Sequence, residues 1–507
     1  MEPFEAIDPL NKAAETFLGI PYIFPYQRLV VSNILEAAEA ANIPVRWTRD
    51  SEPSARNVQR KSEFSEQDQI NQGRQIVVLP TGAGKSLCFQ LPSMMLAGIT
   101  LAVYPTLSLM ADQERRLRAQ GFTPLILRGG RDREDRKRIW EELDSGKSRY
   151  VIANPEALLI PQTLKKLETL GLVHIVIDEA HCVSEWGETF RPSYLELAKI
   201  LDALKVPLVT AFTATASALV LEKIETHIFG GVKVRRIIGN PDRTNIRYEA
   251  LGAILRDLAV RDLLLRNLGP ALVFCSSRIG AESLARYLKN ELQEKEIRFY
   301  HAGLSRQEKT SIEDWYFNHP QGILTATCAY GMGVDKPNIR TVIHRDCPPS
   351  VEAYMQESGR AGRDGLPAQA ILLWNDADRE VLKLIQSEAS KLRFSKLVKY
   401  ARNTTECRRG ALLKLLDYEG IIEEPASGCC DVCEGRGSAV FREEPSLLDF
   451  FRRNQRRYTV FEAAQVLSRL ESPRWSWDDA KTAIQQLIRN NKLRRITHIL
   501  WKDKLTI

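Results

Sequence analysis

Residues 79–86 read LPTGAGKS. Glycines, a lysine and a hydroxyl set directly after an apolar run suit the binding of phosphate. Backbone N–H groups and the start of a following helix can cradle its oxygens. In such a loop Thr81, Gly82, Ala83 and Gly84 form the cradle, Lys85 reaches the β- and γ-phosphates, and Ser86 ligates Mg²⁺. Leu79 stands where the general pattern has its first glycine, and a chance turn-forming loop is the alternative for this run alone. A second run, IVIDEAH (175–181), argues against chance. Its apolar stretch ends in Asp178, which can hold Mg²⁺ directly or through water, and Glu179, which can polarise an attacking water. Together the two runs describe a nucleotide-hydrolysing site.

A third run, QESGRAGRDG (356–365), opens with Gln356 and sets Arg360 and Arg363 three apart on a glycine-punctuated segment. Such a pair is ordinarily a solvated surface feature. If this part of the chain faces the phosphate loop, the two guanidinium groups can act as arginine fingers. Four of the nine cysteines, Cys407, Cys429, Cys430 and Cys433, fall in one short stretch. In a reducing compartment that spacing points to a metal site rather than a disulfide framework.

These motifs need elements to hold them. Short apolar runs, QIVVLP (75–80), TLAVYP (100–105), YVIANP (150–155) and HIVIDEA (174–180), alternate with helical patterns. The rhythm restarts with ALVFCSS (271–277), GILTATC (322–328), TVIHRDC (341–347) and AQAILLW (368–374). Strands spaced by helices imply parallel sheets, and two series imply two α/β domains in tandem. The polar, turn-rich segment 239–247 reads as a linker between them, and 43–74 as a polar loop or insertion. The expected division is 1–232, 233–378, a cysteine module at 379–440 and a tail at 441–507.

At 507 residues, with 44% hydrophobic and 27% charged residues, the chain is neither disordered nor fibrous. No secretory signal is read at MEPFEAIDPL. The charge-free stretch Ser86–Ala111 suits a helix followed by a buried strand better than a bilayer span. A soluble, intracellular protein with no membrane partner is expected. The net charge is +7, and from Pro445 to Ile507 thirteen Lys and Arg oppose six Asp and Glu, so the tail holds the whole basic excess. A polyanion such as nucleic acid is the expected partner.

Taken in order, PYQ (25–27), LPTGAGKS, YPTLSLMADQ (104–113), NPEAL (154–158), DEAHCVSEWGETFRP (178–192), FTATAS (212–217), YHAGLSR (300–306), TATCAYGMGVDKPNIR (325–340) and QESGRAGRDGLP (356–367) resemble superfamily 2 helicases, specifically the RecQ family of DNA helicases. The resemblance covers roughly residues 18 to 437, and the SxWGxxFRP run after DEAH is its most specific part. It implies two RecA-like domains, ATP and Mg²⁺ as cofactors, and unwinding of duplex DNA by 3′ to 5′ translocation on one strand, in repair and recombination. By the same resemblance Gln27 reads the adenine edge and Phe24, where the family usually has arginine, stacks on the base with relaxed purine selectivity. His181 bridges the carboxylates to Thr213 and Thr215, and Thr325 and Asp335 line the DNA path and nucleotide cleft. Trp186, Phe190 and Arg191 match a loop that senses single-stranded DNA, although Glu185, Glu188 and Thr189 replace the family's Gln, His and Asp.

The cysteine stretch resembles the family's zinc module. Cys407, Cys430 and Cys433 match its ligands, Ser427 replaces the remaining cysteine, and Cys429 is the substitute if the backbone turns at Gly428. Thiolates in this number suit Zn²⁺ or iron–sulfur chemistry, and a three-thiolate or vacant site is a further alternative. The tail reads as a short winged helix, with helices near 446–453, 459–470 and 477–490 and a hairpin at 493–506. Arg452, Arg453, Arg456, Arg457, Arg494 and Arg495 are its candidate phosphate contacts. Single-stranded and duplex DNA are the expected partners, with a single-strand-binding protein or a topoisomerase added by resemblance. The implied location is the cytoplasm and nucleoid, or a nucleus.

Overall fold

A computed structural model describes residues 8–48, 73–80, 82–129, 133–145, 148–185, 192–214, 217–266, 269–293, 295–331, 336–418, 428–470, 475–498 and 501–507. The chain forms two compact units, Met1–Pro241 and Asp242–Ile507. In the first, seven strands form one sheet: β1 (Arg74–Val78), β2 (Ile99–Val103), β3 (Leu125–Leu127), β4 (Tyr150–Ala153), β5 (Leu172–Ile177), β6 (Leu208–Thr213) and β7 (Arg235–Ile238). Their order is β3-β4-β2-β5-β6-β1-β7, and every pairing is parallel. The interior strands bury nearly every residue, as a parallel sheet covered on both faces requires. Strands β5, β6 and β1 are neighbours, with Ile177 beside Ala211 and Thr213 beside Val78. The loops leaving their carboxyl ends therefore converge, as in other open parallel sheets that bind ligands at that edge.

The charge-free stretch resolves as the helix Lys85–Met95 and the buried strand β2. No helix among the described residues is long and apolar enough to cross a membrane. Strand β7 pairs with β1, so the division between units lies after the expected 232/233 and inside the polar segment 239–247. Most of the 43–74 insertion lies outside the described residues, although Val45 bridges Leu96 at its start.

The second unit carries six strands: β8 (Ile246–Gly252), β9 (Ala271–Phe274), β10 (Ile297–Tyr300), β11 (Ile323–Ala326), β12 (Thr341–His344) and β13 (Ala368–Trp374). They are ordered β10-β11-β9-β12-β13-β8 and again all parallel. Helices Ala377–Leu384, Glu388–Arg402 and Arg408–Leu415 follow, then the cysteine segment. The tail forms helices Glu444–Arg453, Val460–Leu467 and Trp477–Arg489 and an antiparallel pair, β14 (Arg494–Arg495) with β15 (Leu505–Thr506).

Sheet, cysteine module and tail share one apolar core, running from Tyr248, Leu372 and Trp374 through Leu397 and Leu412 to Phe441, Phe451 and Ile484. Polar ties reinforce it. Glu443 accepts the N–H groups of Ile254 (3.0 Å) and Leu255 (3.4 Å), and Asp376 accepts from Arg402 (2.8 Å), Gln486 (3.0 Å) and Asn490 (2.8 Å). Strand β8 ends the sheet, and the cysteine segment runs along its open side. Tyr248 N–H donates to the Cys429 carbonyl (3.3 Å) and Asp431 N–H to the Tyr248 carbonyl (3.2 Å).

Candidate active site

The phosphate loop leaves β1 with Leu79 buried, its N–H bonded to the Thr213 carbonyl of β6 at 3.0 Å. A side chain packed into the sheet thus occupies the position of the general pattern's first glycine. Gly82 (φ 87°) and Gly84 (φ 68°) take left-handed conformations, which only glycine adopts at little cost, and Gly84 caps the helix that begins at Lys85. Lys85 Nζ lies 3.7 Å from Glu179 Oε1 across the loop. Glu179 follows β5 and is itself at a positive φ of 50°, a strained backbone typical of functional positions. Its other oxygen is 3.3 Å from His181 Nδ1, which sits 3.0 Å from the Thr213 hydroxyl at the end of β6. The same ring nitrogen of His181 thus lies against both the Glu179 carboxylate and the Thr213 hydroxyl. Asp178 is buried and accepts the Glu179 N–H at 2.9 Å. Burial, and then the neighbouring Glu179 charge, push its carboxyl up to about 6. Two carboxylates so placed, beside a lysine and the Ser86 end of the loop, are a donor set that a divalent cation would relieve.

Gln27, on the helix Pro25–Ala40, reaches this loop: its Nε2 donates to the Ala83 carbonyl at 2.9 Å, and its Oε1 accepts the Phe24 N–H at 3.0 Å. Phe24 is 52% exposed and stacks parallel to Tyr26 at 5.7 Å, with Tyr22 edge-on at 5.5 Å. Tyr22 and Tyr26 thus join the expected Phe24, and the clustered aromatics of PYIFPYQ are their signal in the sequence. Thr81, Thr215, Trp186, Phe190, Arg191 and Asp335 lie outside the described residues.

In the second unit Ser350 caps the helix Val351–Ser358, which carries a half-buried Gln356 and runs into the turn holding Arg360 and Arg363. Arg360 is 3% exposed. The turn is held by two residues the sequence reading passed over, Arg243 and Asn245, which donate to its carbonyls. Thr325 corrects an expectation. It is fully buried in β11 with its hydroxyl on the Ala281 carbonyl at 2.8 Å, so it serves the sheet and presents no surface to DNA.

The sulfurs of Cys407, Cys429, Cys430 and Cys433 all lie within 4.8 Å of one another. Tetrahedral Zn–S bonds of about 2.3 Å place sulfurs about 3.8 Å apart, so the cluster is consistent with a zinc site. At 3.4 Å, Cys407 and Cys429 are too far apart for a disulfide. Cys430 Sγ accepts the N–H groups of Arg408 and Cys433, each at 3.4 Å, as a thiolate ligand does. Both adjacent cysteines, Cys429 and Cys430, join the cluster; Ser427 lies outside the described residues.

The DEAD/DEAH box helicase family model matches residues 64–224, and the helicase conserved C-terminal domain matches 253–365. The probable ATP-dependent DNA helicase RecS of Bacillus subtilis is 40% identical over 319 residues, covering 62% of this chain and 64% of that protein. ATP-dependent DNA helicase RecQ of Haemophilus influenzae is 33% identical over 368 residues, covering 71% of this chain and 58% of that one. RecQ of Bacillus subtilis is 31% identical over 401 residues, which are 77% of this chain and 67% of that protein. The chain belongs to the RecQ family of helicases. It spans less than two thirds of the length of the first two of these relatives. Two solved structures share the fold of this RecQ-family chain at low identity. The DUF1998 helicase MrfA bound to DNA has a TM-score of 0.59 at 18% identity, covering 99% of this chain and 62% of that one. The DEAD-box helicase Mss116 bound to ssRNA and UDP-BeF has a TM-score of 0.54 at 17% identity, covering 83% and 87%.

In the tail of this RecQ-family chain, Arg452, Arg453, Arg456, Arg457, Arg494 and Arg495 are all exposed. Three of them already have protein partners. Arg453 pairs with Asp449 at 2.9 Å, Arg456 lies over the Trp501 ring at 5.2 Å, and Arg457 over Tyr458 at 5.4 Å.

Proposed function

We propose that this chain is an ATP-dependent DNA helicase that unwinds duplex DNA by 3′ to 5′ translocation on one strand, in repair and recombination. The observation that carries the reading is the connected row from Lys85 through Glu179 and His181 to Thr213, at the ends of three adjacent strands. Glu179 orients and deprotonates the attacking water; Lys85 and the loop N–H groups hold the phosphates; Gln27 and the aromatic cluster select the base. Ser86 and Asp178 would hold Mg²⁺, which when bound neutralises charge on the phosphate oxygens. Arg360 and Arg363 supply positive charge to the transferred phosphoryl group. His181 passes the state of the nucleotide to Thr213 and so to the strand-end loops. The four cysteines would hold Zn²⁺ in a closed, structural site, and the tail arginines bind duplex phosphates.

The test is ATP hydrolysis with and without single-stranded DNA, in wild type and Lys85→Ala, followed by strand displacement on duplexes with a 3′ or a 5′ tail. The reading expects DNA-stimulated turnover lost in the variant and unwinding of the 3′-tailed substrate. Displacement of RNA but not DNA duplexes would replace it with an RNA-remodelling enzyme, and no turnover in wild type would leave a binding protein.

A further inference from the structure

The segment at the start of the second unit carries an unusual set of bonds. Arg243 Nη1 donates to the Gly359 carbonyl at 3.0 Å, and Nη2 donates to those of Ala361 and Gly362, each at 3.0 Å. Asn245 Nδ2 donates to Gly362 (2.8 Å) and Leu366 (2.9 Å), while the Asn245 carbonyl accepts the Ala368 N–H at 3.0 Å. These carbonyls are the backbone of the turn bearing Arg360 and Arg363. Gly362 stands at φ +53°, and a Cβ there would lie 2.5 Å from Asn245 Nδ2 and 2.6 Å from the Leu366 carbonyl oxygen, so the turn is moulded around the two side chains. The half-buried Arg243 guanidinium is held below its ordinary pKa first by desolvation, with the Arg363 charge a lesser cause.

The preceding residue leads elsewhere. The Asp242 side chain is fully buried and forms a two-pronged pair with Arg409, Nε at 2.5 Å and Nη2 at 2.7 Å. Arg409 stands in the first turn of the helix that Cys407 caps. Beside it Arg408 forms the same kind of pair with Asp431, at 2.9 and 3.1 Å, next to Cys430. The cysteine cluster and the arginine turn are thus joined through the Arg409–Asp242 pair and, one peptide bond on, the contacts of Arg243.

We propose that Arg243 is the positioning residue of the arginine turn, and that the Asp242–Arg409 pair makes the geometry of that turn depend on the cysteine module. The proposal rests on the reading of Arg360 and Arg363 as the arginines of hydrolysis. A shift of about 1 Å in such groups can cost up to roughly a hundredfold in rate. The module therefore acts on hydrolysis through the turn.

The test uses the full chain with saturating single-stranded DNA. Arg243→Ala should lower kcat roughly ten- to a hundredfold, and Asp242→Asn and Arg409→Ala by up to about tenfold. The Kd of a fluorescent ATP analogue should stay within about twofold of wild type, because the phosphate loop belongs to the other unit. Arg409→Lys should restore part of the loss, and Arg243→Ala with Arg409→Ala should be no slower than Arg243→Ala alone. Hydrogen exchange across 359–366 should quicken in Arg409→Ala and on chelation, with β9 and β12 unchanged. Should Arg243→Ala fold poorly, Arg243→Lys, which cannot fork onto three carbonyls, gives the same comparison. Wild-type kcat and exchange in Arg409→Ala, beside an inactive Arg360→Ala, would overturn the proposal while leaving the helicase reading intact. An active Arg360→Ala, or an inactive wild type, would instead remove the reading beneath it.

Discussion

Replacing Gly84 with alanine tests how the loop after β1 and Gln27 depend on each other. Gly84 has φ +68°, where an alanine costs about 1–2 kcal/mol. A Cβ at this position would stand 2.5 Å from Gln27 Nε2, with the Gln27 amide carbon as its next neighbour at 3.8 Å. To make room the amide must leave, giving up its bonds to the Ala83 carbonyl and the Phe24 N–H, each worth about 0.5–1.5 kcal/mol. Gly84→Ala should therefore destabilise the first unit by about 2–5 kcal/mol, and Gln27→Ala by about 1–3 kcal/mol. In the double variant the obstructing amide is gone, so only the backbone strain is added to the lost bonds. Its cost should match that of Gly84→Ala alone, leaving a coupling of about 1–3 kcal/mol. Calorimetry of the full chain measures this, using the transition that an added ATP analogue shifts to identify the first unit. ATP affinity should fall in all three variants. Additive costs would refute the reasoning, since they would mean that Gly84 and Gln27 do not share the space.

Three further outcomes are expected. His174 is fully buried in β5 with Nε2 3.0 Å from the Thr210 hydroxyl, and burial lowers its pKa to about 3. Its folded value lies below its unfolded value of about 6.5, so the unfolded chain takes the proton first. Stability is full above that value and is lost as pH falls from about 6.5 towards about 3, by a few kcal/mol. His174→Gln should flatten this slope in melts from neutral to mildly acid pH, and an unchanged slope would remove His174 as its source. Asp431→Ala strands Arg408, which is 1% exposed, and should cost about 3–5 kcal/mol in the second unit, whereas Arg408→Met with Asp431→Leu should cost less. Cys429→Ser should lower zinc affinity, read by competition with a chromogenic chelator; full retention would show that Cys429 is not a ligand.

The candidate site was legible because its residues sit in contiguous runs: a loop after one strand, two carboxylates after another, each stated by neighbouring residues. The parallel sheets were legible for a similar reason, since strands buried on both faces are written as unbroken apolar runs. Contacts that close over long chain separations were not. The run 239–247 reads as a polar linker because Asn, Pro, Asp and Thr favour turns locally, and nothing nearby says that Arg243 and Asn245 bond carbonyls more than a hundred residues on. Strand β7 was missed because RRII, two charged residues followed by two apolar ones, offers neither alternation nor an unbroken apolar run. Thr325 was misread because a threonine in a motif looks the same in sequence whether its hydroxyl faces a groove or a carbonyl of the adjoining helix.

The run of the cysteine segment along β8 has a consequence for handling the protein. Tyr248, Ala250 and Gly252 have their outward backbone groups taken up by Cys429, Asp431 and Arg442. Were the cysteine module to open, on chelation or oxidation, these groups would be bared on the edge strand of the sheet, the kind of template that recruits a strand from another molecule. Opening of the module would then be felt first as self-association, rising with concentration, before any loss of helix or sheet. Storage of this protein under mild reductant and without chelator follows directly from where its second sheet happens to end.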